Sequence, residues 1–366
     1  MQALILAGGE GTRLRPLTST VPKPVVPLVD RPFIAFMLDW LRGHGVDDVV
    51  LSCGYLASGV HNVLGDGAAY GLRLRYVEEP EPLGTGGAVK LAEPLLAERF
   101  LMLNGDTLTD LDLTAQVRRH EELGAQATLG LVPVEDPSAF GLVRTADDGH
   151  VLEFLEKPSP DQIDTNLVSG GVYVVERAVL DLMPASGPCS IERDIFPRLI
   201  GHGLFGLASD AYWLDIGTPA RYLQATFDIL EGEVQTPVRD RMGAGYRVVE
   251  EEAEIEGRVI PPALIERGCR IADGAHVGSR VVLGRAVTVG PGAVVEQSVV
   301  LDGADIGPGS HVAGCIIGAG ARVGPGCTLR EGVVLGEGVT LGADNELRAG
   351  ARLFPGVRLG DGAIRF

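Results

Sequence analysis

Cysteine is scarce in this chain, and none of its cysteines has the spacing of a metal site. The 366 residues contain five cysteines, Cys53, Cys189, Cys269, Cys315 and Cys327, which are widely separated and form no CxxC pair. The odd number and wide spacing indicate neither a disulfide framework nor a zinc site. We therefore expect reduced thiols that are mostly buried.

Long apolar runs and blocks of positive charge are also missing. The apolar run at residues 3–7 is too short for the hydrophobic region of a signal peptide and leads directly into Gly8 and Gly9. No run approaches the ~18 apolar residues of a membrane-spanning helix. Asp and Glu number 49 against 31 Lys and Arg, a formal charge of −18, which disfavours nucleic acid and anionic membranes as partners. The composition predicts a soluble, cytoplasmic protein with neither a nucleic-acid nor a membrane partner.

The hydrophobic pattern divides the chain into two parts. Its 366 residues exceed the about 250–300 residues that one hydrophobic core supports, so two domains are expected. Up to about residue 230, short apolar runs alternate with amphipathic stretches such as residues 32–42. This alternation predicts an α/β domain with a mostly parallel sheet, in which polar residues at strand ends meet a ligand crevice.

From about residue 265, aliphatic residues recur at every sixth position. One register contains Ile271, Val277, Leu283, Val289, Val295 and Leu301, and a second, after a slip, contains Ile317, Val323, Leu329, Leu335, Leu341, Leu347, Leu353 and Leu359. A step of six is typical of the hexapeptide repeat of a parallel β-helix, and a disordered glycine-rich tail would not keep the register. Three faces per coil give roughly five coils. The slip predicts an irregular loop or coil near residues 307–317.

These patterns predict three segments. Residues 1–235 form the α/β domain, residues 236–264 form a polar, glycine-punctuated linker, and residues 265–366 form the β-helix. The flat faces and open ends of a β-helix favour self-association, so we expect a homo-oligomer that assembles through it.

A glycine-rich turn follows the first predicted strand, in the sequence LILAGGEGTRLRPLTSTVPKP. Its glycines let backbone N–H groups approach an anion, although glycines alone are more often an ordinary surface turn. Arg13 offers a planar fork to two phosphate oxygens, and Lys23, between two prolines, can reach the same charge. The stretch is neither a Walker A loop nor a dinucleotide GxGxxG motif. It predicts a different kind of phosphate-binding loop.

Two aspartates stand where apolar strands give way to small-residue turns. Asp106 lies in LMLNGDT and Asp215 in YWLDIGT. Mg²⁺ binds through one or two carboxylates together with substrate phosphates and water, so this pair is an adequate protein contribution. A turn or helix-cap role is the alternative for either residue.

The segment YVEEPEPLGTGGA is the candidate for recognition of a nucleotide base. Glu78 and Glu79 offer carboxylates to the N1–H and N2–H donors of guanine, whereas uracil or thymine suits an amide such as Gln. The stretch contains no Gln. This composition favours GTP, with a solvated acidic loop as the alternative.

The motif GGEGTRLRPLT, followed by PKP, resembles the signature of the sugar-1-phosphate nucleotidylyltransferases, the nucleoside-diphosphate-sugar pyrophosphorylases. The resemblance covers the whole chain, because many members carry a C-terminal left-handed β-helix. It implies a Rossmann-like nucleotidyltransferase domain followed by such a β-helix. EEPEPLGT and the ending LFPGVRLGDGAIRF are similar to the branch that forms GDP-mannose.

The resemblance also implies roles for individual residues. Arg13 and Lys23 are the expected catalytic residues, and Asp106 and Asp215 the expected Mg²⁺ ligands. The expected nucleotide-binding residues are Leu6, Ala7, Gly8, Gly9, Gly11, Thr12, Glu78, Glu79, Gly84, Thr85 and Gly105. The expected sugar-phosphate-binding residues are Gly141, Glu156, Lys157, Asn166 and Gly171.

The expected activity is transfer of a nucleotidyl group from an NTP, with GTP favoured, to a sugar 1-phosphate, with mannose 1-phosphate favoured. A glucose-1-phosphate thymidylyl- or uridylyltransferase is one alternative. Another is a bifunctional enzyme whose β-helix is also an acyltransferase, with His276 or His311 as a base, although no long loop between coils offers an acyl-CoA site. A third is a catalytically silent regulatory subunit, which the presence of Arg13, Lys23 and both aspartates disfavours.

Overall fold

The computed structural model describes residues 1–365, and the chain forms two compact units. The first unit comprises residues 1–10 and 34–214, and the second comprises residues 11–33 and the chain from Asp215 onward. The glycine-rich motif is therefore divided, because Gly8 and Gly9 belong to the first unit and Gly11 to the second.

The first unit is built on a nine-stranded mixed sheet. Seven strands follow in the order Val151–Glu156, Gly141–Thr145, Leu167–Glu176, Arg99–Asn104, Gln2–Ala7, Asp48–Cys53 and Arg73–Glu78. Ala127–Pro133 pairs with Leu167–Glu176 and with Leu204–Ala208. Gln2–Ala7 is parallel to both of its neighbours, whereas Leu167–Glu176 is antiparallel to Arg99–Asn104 and Ala127–Pro133. A separate two-stranded sheet contains Thr107–Thr109 and Trp213–Asp215.

Helices cover this sheet, and its central strand is therefore buried along most of its length. Ala3, Leu4 and Ile5 have no exposed surface, as expected of a parallel strand packed on both faces. The α-helices are Phe33–Gly43, Ala57–Leu64, Gly84–Ala92, Leu113–Leu123 and Phe196–Leu199, and a π-helical turn spans Ile191–Ile195. The 3₁₀ turns of this unit are Ala68–Tyr70, Glu93–Leu95, Pro137–Ala139, Pro160–Gln162 and Arg177–Leu182.

The parallel strands end at one edge of the sheet. Ala7 is paired with Cys53, Cys53 with Glu78, and Leu6 with Asn104. The residues that follow these strands lie at the edge where open α/β sheets bind their ligands.

The second unit contains a parallel β-helix with three sheets. The first sheet contains Arg247–Val249, Ala263–Ile265, Val281–Leu283, Val299–Val300, Ile316–Ile317, Val334–Leu335 and Arg352–Leu353. The second contains Glu254–Ile255, Arg270–Ile271, Thr288–Val289, Asp305–Ile306, Arg322–Val323, Thr340–Leu341 and Arg358–Leu359. The third contains Arg258–Val259, His276–Val277, Val294–Glu296, His311–Ala313, Thr328–Arg330 and Glu346–Leu347. The predicted repeat architecture is confirmed.

Two details of the repeat differ from the sequence-based expectation. The β-helix begins at Arg247, inside the segment expected to be a linker. Its first coil has partners on one side only, and Val249 and Ile255 are 40% and 37% exposed. The aliphatic register is weak there, because an end coil buries less of its surface than an inner one.

The expectation of an irregular loop or coil near residues 307–317 is wrong. The ladder continues without a break, with Val300 paired to Leu283 and to Ile317. Val300, not Leu301, belongs to the apolar core of the β-helix. The step from one inward residue to the next is five rather than six residues at the same corner of two consecutive coils, from Val295 to Val300 and then from Val312 to Ile317. Because the short steps are stacked, the sheets stay in register.

The remaining elements of the second unit precede the β-helix along the chain. The α-helices are Pro219–Glu231 and Pro237–Met242, a two-stranded hairpin pairs Pro27–Leu28 with Arg31–Pro32, and 3₁₀ turns span Thr12–Leu14, Lys23–Val25 and Gly243–Gly245. Throughout the described residues, every helix is too short or too polar to cross a membrane. All five cysteines are buried and free, as expected, and burial raises the pKa of the Cys315 thiol to about 12.

Candidate active site

Glycines stand where the parallel strands of the first unit end. The Gly105 N–H donates to Leu6 O at 2.9 Å, and a β-carbon at Gly105 would lie 2.6 Å from that oxygen. A β-carbon at Gly54 would lie 2.7 Å from Gly8 O. These approaches are too close for any side chain, so the edge is a bare backbone surface of the kind that binds phosphate.

Glu79 lies against this surface. Its Oε1 atom lies 2.5 Å from the position that a β-carbon of Gly8 would take. The Ser52 hydroxyl donates to Oε1 at 3.1 Å, and the Leu83 N–H donates to Oε2 at 3.4 Å. The carboxylate is therefore held in place and keeps further acceptor capacity on both oxygens. Of the two predicted base-recognition residues, Glu79 is fixed beside the glycine-rich turn, whereas Glu78 is exposed.

The glycines after Glu79 begin the helix Gly84–Ala92 and pack closely against another segment. The N–H of Gly86 donates to Cys189 O at 2.8 Å, and a β-carbon at Gly86 would lie 2.8 Å from Cys189 Sγ. The Thr85 hydroxyl donates to Glu192 Oε2 at 2.6 Å. The structure thus gives this motif a packing function, and the expected nucleotide-binding role of Gly84 and Thr85 stays a prediction.

Three of the expected sugar-phosphate residues, Gly141, Glu156 and Gly171, lie beside polar groups in the first unit. A β-carbon at Gly141 would lie 3.1 Å from Glu156 Oε2. Gly171 has a φ of 70°, and a β-carbon there would lie 2.8 Å from Asn104 Nδ2. Both positions therefore exclude a side chain beside a polar group that can recognise a hydroxyl.

The other two expected sugar-phosphate residues, Lys157 and Asn166, are exposed. The Lys157 N–H donates to Phe140 O at 3.0 Å, and Asn166 O accepts from the Val134 N–H at 3.0 Å. Their backbones are held in place, while their side chains remain accessible.

An acidic group surrounds a buried tyrosine in the same unit. The Tyr173 hydroxyl shares a hydrogen bond of 2.9 Å with Ser169. Burial first, and then the charges of Glu192, Glu156 and Asp106, raise the pKa of Tyr173. Burial and then the charge of Glu192 raise the pKa of Glu156. The charges of Asp106, Glu156 and Glu192 therefore all act on Tyr173. Asp106 and Glu156 were predicted from the sequence as site residues, whereas Glu192 was not.

An aromatic pair lies beside Gly170. The Trp213 ring meets the Phe140 ring edge to face, with centroids 5.0 Å apart, and the Trp213 indole donates to Gly170 O at 2.8 Å. Sequence reasoning used Trp213 only as part of the motif around Asp215. The aromatic pair orders the backbone next to the expected sugar-binding residue Gly171.

The second unit brings Arg13 and Asp215 together. A β-carbon at Gly217 would lie 2.7 Å from Arg13 Nη2 and 2.7 Å from Asp215 Oδ1. Arg13 belongs to the short 3₁₀ turn Thr12–Leu14 and is exposed. Two residues expected to act on phosphate and metal, which are 202 positions apart in the sequence, thus converge on one glycine.

Lys23 is positioned by the same segment of chain. Gly11 has a φ of 62°, and a β-carbon there would lie 3.1 Å from Lys23 Cβ. The Thr18 hydroxyl donates to Gly11 O at 2.8 Å and fixes the turn. The left-handed backbone and the close approach both favour glycine at this position.

The donor set suits a cation that takes most of its ligands from the substrate. Across residues 1–365, three or more His, Cys, Asp or Glu side chains never converge into a metal cluster. Mg²⁺ requires fewer protein ligands, usually one or two carboxylates. Asp215 Oδ1 lies beside Gly217, which has no side chain to cover it, and Asp106 follows the bare backbone of Gly105. The carboxylate that each unit offers suits such an ion.

Comparison with known proteins places this arrangement in a family. Residues 2–232 match the family described as Nucleotidyl transferase, and residues 259–355 match the family described as GMPPB C-terminal domain. The chain belongs to the nucleotidyl transferase family. The predicted family, fold class and enzyme class are therefore confirmed.

Several relatives match most of the chain. A mannose-1-phosphate guanylyltransferase of Mycobacterium tuberculosis is 36% identical over 78% of this chain and 79% of its own length. A UTP–glucose-1-phosphate uridylyltransferase of Synechocystis is 34% identical over 80% of this chain and 85% of its own length. Crystal structures of HddC from Yersinia pseudotuberculosis, one of them complexed with GMP-PN, are 30% identical, with a TM-score of 0.53, over 61% of this chain and 97% of theirs.

Proposed function

We propose that this protein transfers a guanylyl group from GTP to mannose 1-phosphate, giving GDP-mannose and pyrophosphate. One observation carries the proposal above the others: relatives named mannose-1-phosphate guanylyltransferase, from a bacterium, plants and frogs, match the chain at 34–38% identity. The matched segments reach 78% of the chain in the bacterial relative.

Guanine recognition is assigned to Glu79. Its carboxylate is held beside Gly8 by Ser52 and the backbone of Leu83, and a carboxylate accepts well from the two adjacent donors of guanine. The complex of the relative HddC with GMP-PN is consistent with a guanine nucleotide in this family. Glu78, exposed at the end of its strand, is the second candidate for the same contact.

The reaction is an in-line displacement at phosphorus. An oxygen of the sugar 1-phosphate forms a bond to the α-phosphorus of GTP, the bond from that phosphorus to the bridging oxygen breaks, and pyrophosphate leaves with the electron pair. The attacking oxygen is already an anion, so no general base is needed. The protein contributes orientation by the glycine-rich backbone and charge neutralisation by Arg13 and Lys23.

Asp106 and Asp215 are the proposed ligands of the metal ion. Nucleotidyl transferases of this kind generally use a divalent metal, and we propose Mg²⁺, because two carboxylates supplemented by phosphate oxygens suit that ion. When bound, the ion would neutralise charge that develops on the phosphate oxygens. Arg13, beside Asp215 at Gly217, supplies a fixed positive charge in the second unit.

Compartment and assembly form part of the same proposal. We propose that the protein works in the cytoplasm and forms a homo-oligomer through its β-helix. The formal charge of −18 disfavours nucleic acid and anionic membranes as partners, and the open ends of the β-helix favour self-association.

Transfer of a uridylyl group to glucose 1-phosphate is the second candidate. The Synechocystis relative named for that activity is 34% identical over a similar share of the chain. The absence of Gln from the segment YVEEPEPLGTGGA favours guanine over uracil. The preference among nucleotides therefore separates the two candidates.

Acyl transfer by the β-helix has less support. His311 lies between Glu296, at 3.2 Å from its Nε2, and Arg330, at 2.8 Å from its Nδ1, on three successive coils. Both ring nitrogens are therefore engaged in a ladder of charged side chains on the surface, which leaves neither available as a base. Assays with acetyl-CoA and an amino sugar test the alternative directly.

The deciding experiment measures pyrophosphate release with Mg²⁺, crossing GTP, UTP, dTTP, ATP and CTP with mannose 1-phosphate and glucose 1-phosphate. The proposal requires GTP with mannose 1-phosphate to give the highest kcat/KM. A preference for UTP with glucose 1-phosphate would support the second candidate. No release with any pair would favour a regulatory subunit. Arg13→Ala tests the proposed catalytic residue in the same assay. It removes the positive charge of Arg13 and should lower the rate of pyrophosphate release while the protein stays folded.

A further inference from the structure

One arginine of the β-helix binds the backbone of the proposed phosphate-binding loop, which we define as residues 11–23. Arg352 Nη1 donates to Arg13 O and to Arg15 O, both at 3.0 Å. These two carbonyls stand on either side of Leu14, which is 2% exposed and anchors the loop in the apolar interior. A single nitrogen thus fixes the backbone immediately before and after the anchor.

The rest of the loop rests on the same corner of the β-helix. The Thr20 hydroxyl donates to Glu337 Oε2 at 3.0 Å. A cavity of about 110 Å³ lies between the loop and the corner; its lining includes Leu17, Val21 and Pro27 of the loop side and Leu301, Gly318 and Ala319 of the β-helix. Because the cavity leaves the packing beneath the loop incomplete, the hydrogen bonds of Arg352 near one end of the loop and of Glu337 near the other contribute more to its position.

The β-helix holds Arg352 in a defined place. Leu353, the next residue, is 9% exposed and belongs to the apolar core, and Arg352 itself is paired with Val334 of the preceding coil. The guanidinium therefore extends from a fixed backbone position. On the loop side, Arg13 Nη2 is the atom that lies beside Gly217 and Asp215.

We propose that Arg352 is a positioning residue of the nucleotidyl transfer reaction. It fixes the backbone on both sides of Leu14 and thereby directs the Arg13 guanidinium toward the phosphates of the nucleotide. The inference rests on the proposed role of Arg13. It gives the β-helix a part in nucleotide binding, in addition to its expected part in assembly.

The consequence falls on the nucleotide rather than on the sugar phosphate. Arg352→Ala should lower kcat/KM for the NTP about tenfold, since it removes two hydrogen bonds from a charged donor. KM for the sugar 1-phosphate at saturating NTP should stay within about twofold of the wild-type value. Arg352→Lys should restore most of the loss, because one ammonium group can donate to both carbonyls as Nη1 does.

A matched control is available on the next face of the β-helix. Arg358 precedes Leu359 as Arg352 precedes Leu353, and it is exposed in the same way. Within residues 1–365, no hydrogen bond joins Arg358 to the loop. Arg358→Ala therefore removes the same charge from the same repeat position and should retain wild-type kinetics.

The experiment compares wild-type protein, Arg13→Ala, Arg352→Ala, the double variant, Arg352→Lys and Arg358→Ala by steady-state pyrophosphate release. If Arg352 acts through Arg13, the double variant should be no slower than Arg13→Ala alone. Multiplicative losses in the double variant, or an Arg352→Ala protein within twofold of Arg358→Ala, would overturn the inference.

The same set separates this inference from the proposed function. Wild-type kinetics of Arg13→Ala would remove Arg13 from the mechanism, whereas an impaired Arg13→Ala protein beside an unimpaired Arg352→Ala protein would overturn only the role of Arg352. Thermal melting of each variant checks the fold. If Arg352→Ala were slow only because it unfolds, Arg352→Lys would still test the role of Arg352, because it keeps a positive charge and hydrogen-bond donors at the same position.

Discussion

Gly217→Ala tests the convergence of Arg13 and Asp215 in a single substitution. The backbone of Gly217 does not have a positive φ, so alanine is allowed there. Its β-carbon, however, would lie 2.7 Å from both Arg13 Nη2 and Asp215 Oδ1, whereas comfortable contacts need about 3.5–4.0 Å. Both groups must therefore move by roughly 1 Å.

The two consequences of that displacement differ in size. The displaced atoms are the ends of flexible side chains, so the strain should be near the lower end of the ~1–3 kcal/mol typical of overpacking. The smaller entropy of the unfolded chain returns about 0.4–1 kcal/mol, so the free energy of unfolding should change little. A catalytic group misplaced by about 1 Å, in contrast, lowers the rate by roughly 100-fold.

The assay is steady-state pyrophosphate release, with thermal melting on the same samples. We expect kcat/KM for the NTP to fall about 100-fold while the melting temperature stays within a few degrees. Gly43→Ala is the matched control, because Gly43 also lacks a positive φ and a β-carbon there meets nothing within 4 Å. Wild-type kinetics of Gly217→Ala would refute the view that the positions of Arg13 and Asp215 matter for the reaction.

Three further substitutions test separate parts of the argument. Asp106→Asn should abolish metal-dependent turnover in a titration with Mg²⁺, and full activity would remove Asp106 from the metal site. Glu79→Gln should lower the ratio of kcat/KM for GTP to that for UTP by about tenfold, and an unchanged ratio would contradict guanine recognition by this carboxylate. Burial first, and then the charge of Asp302, raise the pKa of Glu266 to about 7 from 4.5; because the folded state holds this proton more tightly, stability falls as the pH rises from 4.5 towards 7 and stays lower above it. A rise of this size corresponds to about 3 kcal/mol, which solvent screening of a half-buried carboxyl reduces to about 2 kcal/mol. Glu266→Gln should therefore be more stable than wild type by about 2 kcal/mol at pH 8 and by much less at pH 5 in denaturant unfolding, and an equal difference at both pH values would refute the assignment.

The repeat was predictable because its physics is local. An inward aliphatic residue at every sixth position is required on each face of the coil, and residues such as Ile271, Val277 and Leu283 are at most 1% exposed, as their spacing predicts. The assignment failed at Leu301, which is one position beyond the inward Val300. A five-residue step can be recognised only when the coil above is seen to make the same step, and that relation is not local.

The edge of the sheet that carries the proposed phosphate-binding turn was predictable for a similar reason. Parallel strands place their carboxyl ends together, so polar residues at strand ends were expected to meet a ligand crevice; in the structure Glu79 lies beside Gly8 at this edge. The function of GTGG was harder to infer. The pattern shows that glycine is needed there, but not that the neighbour that requires it is Cys189.

Residues that act through distant contacts left no signal in the sequence. Glu192 accepts from Thr85 across 107 positions of the chain, and Arg352 donates to Arg13 O across 339. Each is a common charged residue in an ordinary surface context, and Arg352 stands in a repeat whose other arginines occupy equivalent positions. Only the folded structure distinguishes it from them.

The division of the chain places the segment of Arg13 and Lys23 in one unit with the β-helix, which the sequence did not predict. Residues 11–33, which carry Arg13 and Lys23, form one compact unit with the β-helix rather than with the nine-stranded sheet. Arg352 and Glu337 bind the backbone and the Thr20 hydroxyl of that segment, and the Tyr222 hydroxyl donates to Pro27 O at 2.5 Å. Glu337 and Arg352 belong to the β-helix, so this domain contacts the segment that carries the proposed catalytic residues Arg13 and Lys23. Since these contacts fix the loop at both ends, changes in the last coils of the β-helix should alter the affinity for the nucleotide before they alter the stability of the nine-stranded sheet.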